Sequence, residues 1–172
     1  WLMNSDEPRL GGGFVGIIGL LELNDGRLTH LEFHDVYEYD NRFFEDIPLP
    51  VHELEGLAED WRLRDSNTSM DFPTSAKNAM HFFEKEGGQG VDGVIAIQLS
   101  AAQALLEQSG PILLPSYGKT LDAANFPAVM STLVEAKVAG ADHPKAILTE
   151  FIESFIQTVS QDSTAKAKIA SI

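Results

Sequence analysis

The sequence predicts an α/β domain in which a mixed central sheet carries helices on both faces. Phe14–Leu23 is apolar and rich in strand-favouring residues, and the Asn24-Asp25-Gly26 turn signal after it predicts a hairpin. Pro73–Glu86 shows the apolar spacing of an amphipathic helix. A strand followed by a helix between Val91 and Gln108 favours a sheet covered by helices over a β-sandwich.

The first half of the chain predicts strands, a loop and two helices. In Leu28–Tyr39 the apolar residues alternate, with Asp35 as an interruption, which predicts the second arm of the hairpin. The Pro73–Glu86 helix follows Asp71 or Phe72, has proline in its first turn and stops at Gly87-Gly88. The remaining elements are a short strand, a loop and a short helix: Trp1–Met3, Asp40–Pro50 and Val51–Glu59.

The second half predicts helices separated by short strands. Ser100 is a candidate N-cap for a helix that reaches Gln108. In the last helix, five apolar residues share one face: Leu148, Phe151, Ile152, Phe155 and Val159. The predicted strands are Val91–Ile97 and Ile112–Leu114, and the two long helices are Asp122–Val138 and Pro144–Val159.

Length and composition narrow the class of protein. With 172 residues, 1–172 is predicted to be one domain. The formal net charge of -14 disfavours nucleic-acid binding, and the absence of cysteine excludes disulfides and thiolate catalysis. The longest uncharged apolar run, Leu10–Leu21, is shorter than the roughly 20 residues that cross a bilayer. Because the chain opens on Trp1, we expect it to be an excised part of a longer protein.

Glycines beside Arg9 form the first candidate site. The backbone N–H groups of Gly11, Gly12 and Gly13 can surround a phosphate, and Arg9 would add positive charge. A strand follows these glycines, so they match neither a P-loop nor a dinucleotide fingerprint. The alternative is a tight connection between strands or a bulge.

The stretch Asp60–Ala76 contains the second candidate site. Arg62 and Arg64 offer planar guanidinium groups suited to phosphate, and Asn67 adds an oxygen donor. Asp65 and Asp71 could hold a magnesium ion, which binds a few carboxylates together with phosphate and water. The alternative is that Asp65 pairs with an arginine inside the fold while Ser66, Asn67 and Ser69 shape a turn.

Two further sets of residues carry weaker signals. Lys137 and Lys145 flank a predicted helix break and could join Arg9 and Arg64, or could be solvated residues at helix ends. His30, Glu32 and His34 share one strand face, which suggests either a metal site or a solvated outer face. No serine lies in a Gly-x-Ser-x-Gly elbow.

Four blocks of the chain follow one another in a set order: Asp6-Glu7-Pro8-Arg9-Leu10-Gly11-Gly12-Gly13-Phe14-Val15-Gly16, Arg64-Asp65-Ser66-Asn67 with Asp71-Phe72-Pro73-Thr74-Ser75-Ala76, Gly90-Val91-Asp92-Gly93-Val94-Ile95-Ala96-Ile97, and Ser109-Gly110-Pro111-Ile112. In this order they resemble a bacterial family of domains of unknown function, number four thousand and twelve. Members of that family look like the outer portions of membrane-anchored envelope proteins. The resemblance therefore implies an extracytoplasmic domain, anchored through segments outside this chain.

The pattern is also distantly similar to the LytR-CpsA-Psr phosphotransferases, which transfer glycopolymers from a polyprenyl-pyrophosphate carrier. This similarity implies a three-layer fold like theirs, with Arg64 and Asp65 as catalytic residues and magnesium as the candidate cofactor. Arg9 falls where that family carries an arginine, and Lys137 and Lys145 lie near its later arginine-rich motif.

Two functions follow as expectations. The first is an envelope domain that binds a polyprenyl-phosphate or other anionic glycolipid, with Arg9 and Arg64 on phosphate and phosphoryl-type transfer as its chemistry. The second is a non-catalytic scaffold with an envelope protein as its partner, in which the arginines form internal salt bridges. An open cleft at the arginines would favour the first, and arginines occupied by buried carboxylates would favour the second.

Overall fold

The computed structural model describes residues 1–4, 9–43, 45–50, 55–56, 58–135 and 146–162. The chain divides into two compact units. The first unit consists of Trp1–Gly19 and His34–Gln98, and the second unit consists of Leu20–Phe33 and Leu99–Ile172. Strands and helices are intermixed and the larger sheet is mixed, so the prediction of an α/β fold is confirmed. The predictions of a single domain and of helices on both faces of the sheet stay predictions.

Four strands form the larger sheet: β1 (Leu2–Asn4), β2 (Phe14–Asn24), β3 (Arg27–Asp35) and β4 (Ile97–Gln98), in the order β3-β2-β1-β4. Strand β1 pairs antiparallel with β2 and parallel with β4. The predicted hairpin is confirmed, and its turn residues Asp25 and Gly26 have φ values of 50° and 73°. Positive φ at both central positions is what the favoured two-residue hairpin turn requires.

The strand predicted to reach Tyr39 ends at Asp35, and that part of the prediction is wrong. Helix α1 (Tyr37–Asp40) follows at once. Asp35 Oδ1 accepts a hydrogen bond from Tyr37 N at 3.0 Å, and Glu38 Oε1 accepts one from Asp35 N at 3.1 Å. These side-chain bonds turn the backbone out of the strand. Asp40, which was predicted to begin a loop, is therefore a buried helical residue.

The predicted second helix is confirmed as α2 (Phe72–Lys85). Asp71 accepts a hydrogen bond from Thr74 N at 3.0 Å as its N-cap. At the other end Gly87 has a φ of 92°, and Gly88 N donates to Phe83 O at 2.8 Å, which closes the helix. Four residues of the helix are buried: Ser75, Ala79, Phe82 and Phe83. Phe82 packs on Trp61 and Phe83 on Tyr39, with ring centroids 4.9 and 4.8 Å apart.

Two other predictions in the first unit differ from the structure. Residues 51–54 and 57 of the predicted Val51–Glu59 helix lie outside the described residues. The described ones are not helical: Glu55 and Ala58 form an isolated β-bridge, and Gly56 has a φ of 85° that a helix does not accommodate. The strand predicted over Val91–Ile97 contains only Ile97 of that range. Strand β4 pairs with β1 through Leu2 with Ile97 and Met3 with Gln98.

The second unit combines helices with a small hairpin. Helix α3 (Leu99–Ser109) leads to β5 (Ile112–Leu114), a 3₁₀ turn (Pro115–Tyr117) and the antiparallel strand β6 (Lys119–Leu121). Helices α4 (Phe126–Glu135) and α5 (Ala146–Gln161) follow, and α5 packs against β5. The core of this unit is apolar: Leu106, Ile112, Leu114, Leu121, Phe126, Ile147, Leu148 and Phe151.

Boundaries in the second unit differ from the predicted ones for local reasons. Helix α3 begins at Leu99, so Ser100 lies inside its first turn. Helix α4 begins at Phe126, because Asp122 Oδ1 first accepts hydrogen bonds from Ala124 N and Asn125 N in a turn. Strand β6 was not predicted. Residues 136–138 and 144–145 of the predicted helices lie outside the described residues.

Candidate functional site

The second candidate stretch folds as a 3₁₀ turn, Leu63–Asp65. Arg62 is extended before the turn, and Leu63 is buried within the first unit. Trp61 Nε1 donates to Asp65 O at 3.0 Å, and Ser66 N donates to Leu63 O at 3.1 Å, which holds the turn closed. The turn thereby positions Arg62, Arg64 and Asp65 for the ion pairs described next.

Asp65 joins the two candidate arginines. Arg9 Nε donates to Asp65 Oδ1 at 2.7 Å, and Arg64 Nε lies 3.3 Å from Asp65 Oδ2. The Asp65 side chain is only 1% exposed, and that of Arg9 is 8% exposed. The Arg9 guanidinium also lies over the Phe14 ring, 5.4 Å from its centroid. The predicted internal pairing of Asp65 with an arginine is therefore present, with two arginines rather than one.

Arg64 is occupied by three carboxylates. Its Nη1 donates to Asp40 Oδ2 at 2.6 Å and its Nη2 to Asp60 Oδ1 at 3.1 Å, in addition to the contact with Asp65. Burial alone would lower the pKa of Arg64, but the hydrogen bond and charge of Asp40, with the charges of Asp65 and Asp60, outweigh it and raise that pKa. Arg64 therefore stays fully charged and neutralised in place.

Arg62 shares Asp60 with Arg64 and has a further partner in Phe43. Its Nε donates to Asp60 Oδ2 at 2.5 Å, and its Nη2 contacts the same oxygen. Its Nη1 donates to the main-chain oxygen of Phe43 at 2.6 Å, and the guanidinium lies 5.0 Å from the centroid of the Phe43 ring. Arg62 thus fastens the loop after α1 to the turn.

These contacts form one arginine–aspartate cluster, which consists of Arg9, Arg62, Arg64, Asp40, Asp60 and Asp65. Three guanidinium groups face three carboxylates, so with all six ionised the cluster has no net charge. Breaking a partly buried ion pair of this kind is destabilising, because the charge of the remaining partner is left buried and uncompensated.

The glycine segment lies against the residue that follows the turn by two positions. Gly11 N donates to Asn67 O at 2.8 Å, and Asn67 Nδ2 donates to Gly13 O at 2.6 Å. Gly12 N donates to Arg9 O at 3.0 Å. Two of the N–H groups predicted to bind phosphate therefore already bond carbonyl oxygens of the protein. The structure brings Arg9, Gly11–Gly13, Arg64 and Asn67 together.

The two candidate metal ligands, Asp65 and Asp71, have different partners. Asp71 is exposed and caps α2, with Thr74 N and Thr74 Oγ1 as its donors, and these bonds lower the pKa of Asp71. Asp65 is buried among arginines. In the described part of the chain, no three histidine, aspartate or glutamate side chains gather as a metal site would need. His34 instead bonds Glu38, with Nδ1 and Oε2 3.1 Å apart.

Sequence reasoning missed Glu86 and Asp40. Glu86 is 1% exposed and accepts a hydrogen bond from Leu63 N at 3.1 Å. Burial raises the pKa of Glu86 to about 8, and the charge of Asp40 and its hydrogen bond with Glu86 act in the same direction. Burial also raises the pKa of Asp40, against the hydrogen bonds from Arg64 and Glu86. No local pattern singles out these two among 26 acidic residues.

Lys137 and Lys145 lie outside the described residues, so their predicted approach to Arg9 and Arg64 stays a prediction. Among the residues with described positions, no helix combines the length and the apolar character that a membrane crossing needs.

Comparison with known proteins places the chain in a family. The family described as "Protein of unknown function (DUF4012)" matches residues 1–134. The chain belongs to this family. The DUF4012 match covers both the glycine segment and the arginine–aspartate cluster. No curated protein and no solved structure matches the chain.

Proposed function

We propose that this DUF4012 protein is a non-catalytic scaffold or protein-binding domain of the cell envelope, in which the arginine–aspartate cluster stabilises the fold. One observation carries the proposal: Arg9, Arg62 and Arg64 each donate to a carboxylate. Phosphate binding needs guanidinium donors and charge that are not already neutralised. The internal hydrogen bonds of Gly11 N and Gly12 N support the same interpretation.

The cellular placement in this proposal rests on the resemblance to outer portions of membrane-anchored envelope proteins. It is tested together with partner binding by treating intact cells with a membrane-impermeant cross-linker. A discrete adduct between the full-length protein and another envelope protein supports the proposal. Protection of the domain from the reagent until the cells are lysed would contradict the placement.

A second candidate is binding of a polyprenyl-phosphate-linked or other anionic glycolipid, with LytR-CpsA-Psr-like phosphotransfer. It is favoured by the meeting of Arg9 and Arg64 on Asp65 beside the glycine segment, and by the 20% exposure of the Arg64 side chain. A phosphate would have to replace Asp60 or Asp40 on Arg64. Catalysis would then depend on positioning and charge neutralisation, with Asp65 orienting the arginines or holding magnesium.

A ligand screen separates the two candidates. The chain is titrated with polyprenyl phosphate and polyprenyl pyrophosphate, with and without magnesium, by thermal shift and calorimetry. A ligand that binds the folded state would raise Tm and give a saturable heat of binding. The scaffold proposal predicts neither effect. Saturable binding that disappears in Arg64→Ala would overturn the scaffold proposal.

The structural role of the cluster makes a separate prediction. Arg64→Ala removes the arginine partner of buried Asp40 and one of the two arginine partners of Asp65, so we expect the free energy of unfolding to fall by about 3 kcal/mol. The measurement is urea unfolding followed by circular dichroism. Arg27→Ala is the matched control, because it removes the same charge from an exposed strand position and should cost less than about 0.5 kcal/mol. Equal stability of the two variants would contradict a structural role for the cluster.

A further inference from the structure

Asp40 and Glu86 form a buried pair of carboxyl groups beside the Leu63–Asp65 turn. Asp40 ends α1 and is 4% exposed, and Glu86 follows α2 and is 1% exposed. Each has one oxygen with a donor: Arg64 Nη1 lies 2.6 Å from Asp40 Oδ2, and Leu63 N lies 3.1 Å from Glu86 Oε1. The charge of Asp40 and its hydrogen bond with Glu86 both raise the pKa of Glu86, so the two groups interact.

The second oxygen of each carboxyl group is buried and needs a hydrogen-bond donor. Asp40 Oδ1 and Glu86 Oε2 are buried, and no donor in the described part of the chain reaches them if both groups are ionised. Two carboxylates offer only acceptors, so a bond between them needs a proton on one of them. The negative charge of one buried carboxylate also disfavours ionisation of the other. A single proton would satisfy both oxygens at once.

We propose that Asp40 and Glu86 share one proton, and that this proton acts as a pH-sensitive latch joining α1, the Leu63–Asp65 turn and the C-terminal end of α2. Glu86 is the side that carries the proton, because Arg64 already stabilises the charged form of Asp40 through a direct hydrogen bond. Loss of the proton leaves two negative charges side by side in a buried site. The latch is independent of the scaffold proposal.

The charged groups around the pair do not replace the proton. From the turn, Arg64 bonds Asp40, and the charge of Arg62 acts on Glu86. Both arginines are shared with other carboxylates of the arginine–aspartate cluster. The charged residues next to the pair along the chain have other partners: Lys85 Nζ lies 3.7 Å from Glu45 Oε2, Arg42 lies over the Tyr39 ring, and Glu38 bonds His34.

The latch gives a pH dependence of definite sign. The pKa of Glu86 rises from its ordinary 4.5 to about 8 on folding, so the folded state binds the extra proton between these values. Stability therefore falls as the pH rises through this interval, and the loss is complete above about pH 8. A salt-bridged carboxylate with a lowered pKa would give the opposite slope, and only below its ordinary pKa.

The test compares Tm from about pH 6 to about pH 9 for the wild-type chain, Glu86→Gln and Glu84→Gln. The glutamine amide can donate to Asp40 at any pH and its oxygen can still accept from Leu63 N. We expect Tm of the wild type and of Glu84→Gln, which changes an exposed residue of the same helix, to fall with rising pH. Glu86→Gln should lose that fall, while all three proteins share the titration of the five histidines. Parallel profiles for Glu86→Gln and the wild type would overturn the latch.

A second measurement needs no variant. The side-chain carboxyl carbon of Glu86 is followed by ¹³C NMR in the wild-type chain while the pH is raised. We expect its midpoint near 8, as the shared proton is released. A midpoint near 4.5, as in an unfolded chain, would sink the proposal even if the glutamine variant fails to fold.

Discussion

At the scale of single residues, Asn67 joins two segments that are far apart in the chain. It is fully buried, and it bonds Gly11 through its main-chain oxygen and Gly13 through its side-chain amide. Asn67 Nδ2 also lies 3.7 Å from Met3 Sδ. A Cβ added at Gly11 would lie 2.4 Å from Asn67 O. A glycine is needed at this position for close approach of the backbone, which is the tight connection that the sequence left as one alternative.

This contact predicts a large effect from one added methyl group. Gly11→Ala should lower the free energy of unfolding by about 2 kcal/mol or more, because the rigid backbone of residue 67 must move. Chemical denaturation provides the measurement. Gly93→Ala is the matched control, since nothing lies within 4 Å of its added Cβ and it should be near neutral. If both substitutions cost the same, the close approach at Gly11 is not what stabilises the segment.

At the scale of elements, helix α2 has the clearest local code. Asp71 caps its N-terminus, Pro73 lies in the first turn, and Gly87 and Gly88 close its C-terminus. All of these signals lie within a few residues of the helix they delimit, so the sequence predicted α2 correctly. Strand β4 shows the reverse: its length depends on β1, a partner distant in sequence, and the prediction was too long.

The cap of α2 predicts a pH effect opposite in sign to that of Glu86. Thr74 lowers the pKa of Asp71, so the cap stabilises the helix at neutral pH and is lost as the pH falls through the lowered pKa. Asp71→Ala should lower Tm at neutral pH but not in strong acid, where the wild-type residue is also uncharged. Thermal scans at both pH values measure this. Asp71→Ser, which retains a capping oxygen, should recover most of the loss, and no recovery would contradict a capping role.

At the scale of the whole molecule, repulsion within a net charge of -14 opposes the compact folded state. Three of the 12 basic residues form ion pairs inside the arginine–aspartate cluster. Salt screens the repulsion between exposed carboxylates. The range of this repulsion falls from about 30 Å at 0.01 M to about 8 Å at 0.15 M. Partly buried ion pairs are screened much less.

Moderate salt should therefore stabilise the protein. We expect Tm to rise as sodium chloride increases from about 0.01 M to about 0.15 M, because repulsion between exposed acids is reduced. The difference in Tm between wild type and Arg64→Ala should change little over the same range, since the cluster is shielded from solvent. A fall in Tm with salt would indicate that exposed ion pairs, rather than net repulsion, dominate.

The sequence by itself determined the elements whose signals are local. These are the hairpin with its Asp25-Gly26 turn and the capped helix α2. It also indicated the glycine segment and the arginines as candidate site residues. Only the tertiary structure decided which carboxylates the arginines bind. Arg9 is 56 positions from Asp65, and Arg64 is 24 positions from Asp40. Local patterns describe neighbours along the chain, whereas the partner of a buried charge is chosen by folding, because only folding removes water and makes an unpaired charge costly.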